Sequence, residues 1–151
     1  MDRLKRTVKG TNCLILGYGR IGKFLARLLL NLHASVTVAA RKGKDLVQAE
    51  LDGCIPCPLR DLAGCLPRCD VLYNTIPHLI LDQTLLPLVP KSCLCIDLAS
   101  KPGGIDLRAA EQLELETIWA RGLPGKVAPG SAGQAIVDTV LQILTEQEVS
   151  L

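Results

Sequence analysis

The chain has 151 residues, 48% of them hydrophobic and only 3% aromatic, and a formal net charge of +2. That is enough chain for one well-buried domain and too little for two ordinary ones, so a single core of Leu, Ile, Val and Ala is expected. The mild charge excludes nothing but a strongly basic nucleic-acid binder, no apolar run reaches the roughly 18–20 residues that cross a membrane, and the charged start lacks a signal core.

Arg3, Lys5, Arg6 and Lys9 make residues 1–10 a basic, solvated lead-in. Cys13-Leu14-Ile15-Leu16 is then short and apolar, as a buried parallel strand is. From Arg20 to Leu32 the residues Ile21, Leu25, Leu28, Leu29 and Leu32 fall on one helical face. Between these two elements stands Gly17-Tyr18-Gly19-Arg20-Ile21-Gly22. Strand, G-x-G-x-x-G and helix in that order form the context of a dinucleotide fingerprint. Gly17 makes the tight turn, Gly19 lets the backbone approach a pyrophosphate, and Gly22 allows close packing of helix on strand. Gly17, Tyr18, Gly19, Arg20 and Ile21 are therefore candidate cofactor contacts, with the diphosphate on the free N–H groups of the helix start. The plainer alternative is a glycine turn that only links the two elements.

Ser35 to Ala39 reads as a second strand and Lys44 to Leu51 as a second helix, closed by Gly53. In such a fold the second strand normally ends in Asp or Glu, which accepts hydrogen bonds from the ribose hydroxyls. Here the chain runs Ala39-Ala40-Arg41-Lys42-Gly43-Lys44. A carboxylate would repel a 2′-phosphate, whereas Arg41 can grip one bidentately and Lys42 or Lys44 can add charge. Ala40, Arg41 and Lys42 thus point to NADP rather than NAD, against the alternative that they are solvated loop charges.

Ile55 marks a third strand. The cysteines around it, Cys54, Cys57, Cys65 and Cys69, raise a zinc site, but their interval does not match a zinc ribbon, and no metal is expected. Seven cysteines, mostly in apolar runs, read as reduced and buried, which fits a cytoplasmic protein. Val71–Asn74 is a fourth strand, Leu94–Asp97 a fifth, and Glu116–Trp119 a sixth. Asp106 to Leu113 looks helical with Asp106 as N-cap, and Ile136, Val137, Val140, Leu141 and Leu144 form the stripe of a closing helix. Strands alternating with helices predict an α/β, doubly wound parallel sheet, Rossmann-like, in the order 3-2-1-4-5-6, as one domain over 1–151.

Ligands of such sheets lie beyond the carboxyl ends of the strands, where this sequence is rich in Pro and Gly. Asn74-Thr75-Ile76-Pro77 follows strand four, Asp97-Leu98-Ala99-Ser100-Lys101-Pro102-Gly103-Gly104 follows strand five, and Gly122 to Pro129 follows strand six. Asn74, Thr75, Ile76 and Pro77 are candidates to line the nicotinamide ribose. Lys101 is the candidate for a substrate carboxylate, with Ser100 beside it. Asp97 is either a structural carboxylate or a proton-handling cofactor neighbour. Lys126, and Ser131-Ala132-Gly133 at the last helix start, are further anion contacts, while His78 and His33 read as surface and helix-end residues. No Ser/His/Asp set, paired carboxylates or HExxH signal is present, so hydrolysis is a poor reading.

The glycine turn, the Val38 to Lys42 strand end and above all the Asp97–Gly104 and Gly122–Pro129 loops resemble the C-terminal nucleotide-binding domain found in the dipicolinate synthase family of spore-forming bacteria, in the first of that enzyme's two subunits. The resemblance implies formation of dipicolinate from a hydroxylated tetrahydrodipicolinate, with loss of water and hydride passing to a nicotinamide dinucleotide. It also implies a small dicarboxylate substrate and, as partner, the second, flavoprotein-like subunit of dipicolinate synthase. The family's N-terminal domain has no counterpart in this sequence, so turnover is expected only in an assembled complex. The competing hypothesis is a non-catalytic module that binds or senses NADP(H). Self-association into a homo-oligomer is left open. Hydroxyacid dehydrogenases share the glycine turn but use an arginine and a histidine where this chain has Ser100-Lys101-Pro102 and Gly122-Leu123-Pro124, and on that ground they are set aside.

Overall fold

The structure, a computed structural model, describes residues 8–120. Its elements are β1 (Asn12–Leu16), α1 (Arg20–Asn31), β2 (Ser35–Ala40), α2 (Gly43–Leu51), β3 (Ile55–Pro58), α3 (Leu62–Cys65), β4 (Val71–Asn74), β5 (Leu94–Asp97), α4 (Leu107–Gln112) and β6 (Glu116–Trp119). The strands form one parallel sheet in the order β3-β2-β1-β4-β5-β6, as the alternation of elements predicts. The closing helix, the Gly122–Pro129 loop, Lys126 and Ser131 to Gly133 lie outside the described residues.

Side-chain alternation along the strands feeds two cores, one on each face. In β1, Cys13 and Ile15 face a cluster with Leu25 and Leu29 of α1 and Ala49 of α2. Leu14 and Leu16 face the other, with Leu62 of α3 and Ala109 and Ala110 of α4. Each fully buried Leu contributes about 1.5–3 kcal/mol relative to exposure. Asp106 caps α4, its carboxylate accepting from the Ala109 N–H at 3.1 Å.

Two departures from the expected alternation have simple causes. Between β4 and β5 there is no α-helix, only a 3₁₀ turn at Leu86–Leu88, because Pro87 and Pro90 remove donors and clash with a continuing helix. The segment after β3, expected as a plain connection, instead forms α3 between two 3₁₀ turns, Leu59–Asp61 and Leu66–Arg68. Leu62 and Leu66 are buried one turn apart, which is what fixes it there.

The pairing register sets one residue from each strand into a continuous row near the carboxyl edge. Cys57, Ala39, Leu16, Asn74, Asp97 and Trp119 are successive partners across all six strands. The turns that carry the candidate site residues begin immediately beyond this row.

Candidate nucleotide site

Gly17 follows Leu16 in that row with a φ of +96°, in the region that disfavours side chains. A Cβ there would also come within 2.5 Å of Thr75 Oγ1, and one at Gly22 would collide with the Gly17 carbonyl oxygen. The turn is pinned on both sides, since the Gly17 N–H donates to Ala39 O at 2.8 Å and Thr75 donates to Leu16 O through its N–H and its hydroxyl. Gly19, by contrast, faces open space. It is the N-cap of α1, gives the first turn no side-chain partner, and no acidic residue stands in that turn. An anion approaching Gly19 thus meets backbone N–H groups and the positive end of a 12-residue helix, so the residues present fit a dinucleotide pyrophosphate.

Arg20 is exposed at the mouth of the turn and Ile21 packs partly into the core. Tyr18 turns the other way. Its ring is 3% exposed, lies in the core cluster, and its hydroxyl donates to Asp52 Oδ2 at 2.5 Å, with Lys23 Nζ 5.8 Å from the ring centroid. Tyr18 therefore supports the turn from beneath and offers a ligand only its backbone. The Tyr18 hydroxyl, helped by Gln48, holds the Asp52 carboxyl below its usual range, while burial and the bond to Asp52 push the Tyr18 phenol well up.

Ala40 ends β2 buried, and Arg41, Lys42 and Lys44 follow it exposed at the start of α2. With the glycine turn one strand away, a cationic loop stands where the adenosine ribose of a dinucleotide would lie.

Over β4 and β5 the site is shaped by a buried polar pair. Asn74 is 0% and Asp97 1% exposed, and the Asn74 amide donates to Asp97 Oδ1 at 3.0 Å and to Ile76 O at 2.9 Å. Asp97 also accepts from the N–H groups of Ala99, Gly104 and Ile105, and Asn74 Oδ1 from that of Ile76. A Cβ on Gly104 would run into the Asn74 side chain, so the close approach of the two loops needs glycine there. The loops are further tied by Ile80 and Leu81 N–H groups to Gly104 O. These bonds commit the polar atoms of Asn74 and Asp97 to the protein, so either residue acts on a ligand through the loop backbone it places.

Thr75 and Ile76 lie half-buried beside the glycine turn, and Pro77 is exposed at its rim. Ser100 and Lys101 are exposed on the loop after β5; the Lys101–Pro102 peptide is cis, and Gly103 N–H donates to Ser100 O. Trp119 braces the same loop from β6, its indole N–H donating to Ala99 O at 3.4 Å. Sequence reasoning missed Asp52 and Trp119 as supports, because neither belongs to a local motif. His33 closes α1 with a positive φ, in a turn that returns its own N–H to Leu30 O and that of Ala34 to Leu29 O, and His78 is exposed. Among the described residues no group of three or more His, Cys, Asp or Glu could hold a metal ion, and no helix is long and apolar enough to cross a membrane.

This sheet and glycine turn define a nicotinamide-dinucleotide-binding domain, and residues 1–99 match the family of the NAD-binding domain of D-isomer specific 2-hydroxyacid dehydrogenases. The chain belongs to that family, and its cofactor is NAD(P). Setting the hydroxyacid dehydrogenases aside is thereby corrected. The match ends at Ala99, just before Ser100-Lys101-Pro102, so the nucleotide-binding scaffold is shared and the differing loops lie beyond it. More particularly, the chain is 38% identical over 140 residues to the first of the two dipicolinate synthase subunits of Bacillus subtilis (strain 168), covering 93% of this chain and 47% of that protein. The crystal structure of the corresponding dipicolinate synthase protein from Bacillus halodurans superposes with a TM-score of 0.77 at 39% identity, over 92% of this chain and 48% of that one. The crystal structure of the Bacillus subtilis protein gives 0.78 at 36%, over 97% and 49%. The chain thus spans about half the length of the curated relative it matches.

Proposed function

We propose that this chain is the NADP-preferring nucleotide-binding part of an oxidoreductase of the dipicolinate synthase type. In the reaction proposed, a hydroxylated tetrahydrodipicolinate loses water and a hydride to become dipicolinate. The observation that supports the cofactor choice is the end of β2, where buried Ala40 replaces the ribose-binding carboxylate and exposed Arg41 and Lys42 follow. A guanidinium there matches a 2′-phosphate in charge and in donor geometry.

When bound, the nicotinamide ring supplies the carbon that accepts the hydride. The chain's own groups bind and orient. N–H groups at the start of α1 receive the pyrophosphate, Arg41 with Lys42 takes the 2′-phosphate, and the loops after β4 and β5 present their backbone to the nicotinamide half. Lys101 pairs with a carboxylate of the dianionic substrate, and Ser100 donates a hydrogen bond beside it. The proposed setting is the cytoplasm, where seven free thiols stay reduced. The proposed partner is the flavoprotein-like second subunit of dipicolinate synthase, with the remaining substrate surface supplied by the segment that the longer relatives carry.

The test is nicotinamide reduction by the chain assembled with such a partner and the hydroxylated substrate. Lys101→Ala is expected to lower turnover at least tenfold, about 1.4 kcal/mol of barrier, with NADP affinity unchanged. Nucleotide binding with no turnover in any assembly would favour the sensing module instead.

A further inference from the structure

The sulfurs of Cys57 and Cys65 lie 2.7 Å apart on the α3 side of the sheet. Cys57 sits in β3 at 4% exposure, whereas Cys65, the last residue of α3, is half-buried. All seven cysteines are free. Another sulfur contact, Cys69 with Cys93 at 3.5 Å, is longer and is buried on both sides. The Cys57–Cys65 pair therefore combines near-bonding separation with a sulfur that a reagent can reach.

The route in is visible. Cys65 lines a cavity of about 190 Å³ together with Asn12, Ser35, Thr37, Arg68 and Cys69. Arg68 is exposed and gives the mouth of that cavity a positive charge, while the hydroxyls and the amide inside are hydrogen-bonding groups. A small, anionic, peptide-like molecule fits that chemistry. A disulfide bond is about 2.05 Å long, so less than an ångström of movement would join the two sulfurs.

We propose that Cys57 and Cys65 form an oxidisable dithiol site, converted to an intramolecular disulfide by an anionic low-molecular-weight disulfide that enters through this cavity. Cys65 loses its proton to solvent and attacks one sulfur of the oxidant, whose S–S bond breaks and whose other half leaves as a thiolate that takes up a proton. The sulfur of Cys57 then attacks Cys65, its proton passing to the second departing thiolate. Two protein thiols have become one disulfide, and the oxidant has been reduced to two thiols. Exposure makes Cys65 the attacking sulfur. Burial, followed by the neighbouring Cys65 sulfur, pushes the Cys57 thiol up to about 12, which suits it to the resolving step, where the partner sulfur is already at hand.

The test treats the full chain with glutathione disulfide, blocks the remaining thiols with iodoacetamide, and maps the products by mass spectrometry. The expected product has lost two hydrogens, carries a bond between Cys57 and Cys65, and reverts with dithiothreitol. Cys57→Ser should instead retain one half of the oxidant on Cys65. A Cys65 that remains open to iodoacetamide, a bond between any other pair, or a mixed disulfide that persists on Cys65 of the unaltered chain would overturn the proposal. Mapping on the unaltered chain decides the matter even where a variant fails to fold.

Discussion

Over β1 and β2 the ligand-facing surface is made of backbone and exposed cations, whereas over β4 and β5 it is shaped from below by two buried polar side chains. The first region works by omission: Gly17 and Gly22 lack the Cβ atoms that would collide with Thr75 and with the turn itself, and Gly19 leaves open space. The second works by commitment, since Asp97 alone accepts from Asn74, Ala99, Gly104 and Ile105. A backbone surface is sensitive to added atoms, and a side-chain scaffold to removed ones.

That contrast is broken most severely at Asp97. Asp97→Ala leaves several buried donors without an acceptor, at roughly 1–3 kcal/mol each, so a loss on the order of 3–5 kcal/mol is expected in chemical denaturation. A loss under about 1 kcal/mol would show that the network does not hold the loops. Gly17→Ala tests the opposite property. Its positive φ and its contact with Thr75 Oγ1 predict a cost of about 1–3 kcal/mol, together with at least a tenfold fall in nucleotide affinity. Intact affinity in a folded variant would mean that the turn adapts.

Tyr18→Phe sharpens the comparison, because Tyr18 is a side-chain support within the backbone-built half. Its loss should cost about 1 kcal/mol near neutrality, given that Asp52 is solvated at the surface and weakened by screening. The pH dependence has two arms. The Asp52 carboxyl is depressed in the folded chain, so its contribution is present above about 3.9 and is lost as pH falls through the lower folded value. The Tyr18 phenol is raised, so its contribution is present below about 10 and is lost as pH rises through the higher folded value. Tyr18→Phe should abolish the alkaline arm and most of the acid arm, which stability curves recorded across pH would show.

The same difference explains what the sequence disclosed. Glycines between an apolar strand and an amphipathic helix are a local pattern, and Ala40-Arg41-Lys42 is read directly once β2 is placed, so the cofactor half was legible. All six strands and their order followed from short apolar runs separated by turns. The Asn74–Asp97 pair joins residues 23 apart in sequence, and only the parallel register of β4 and β5 makes them neighbours. Tyr18–Asp52 and Trp119–Ala99 are hidden for the same reason. The missing helix before β5 was legible in Pro87 and Pro90 but was outweighed by the expectation of strict alternation.

The central claim is that the end of β2 selects a 2′-phosphorylated dinucleotide, and calorimetric titration of the chain and of Arg41→Asp with NADP and NAD tests it most directly. Emission from Trp119, the single tryptophan, which braces the loop after β5, gives a second readout. NADP should bind at least tenfold more tightly than NAD, about 1.4 kcal/mol, and Arg41→Asp should erase or reverse that preference. Equal affinities that Arg41→Asp leaves untouched, or no binding of either nucleotide, would contradict the account.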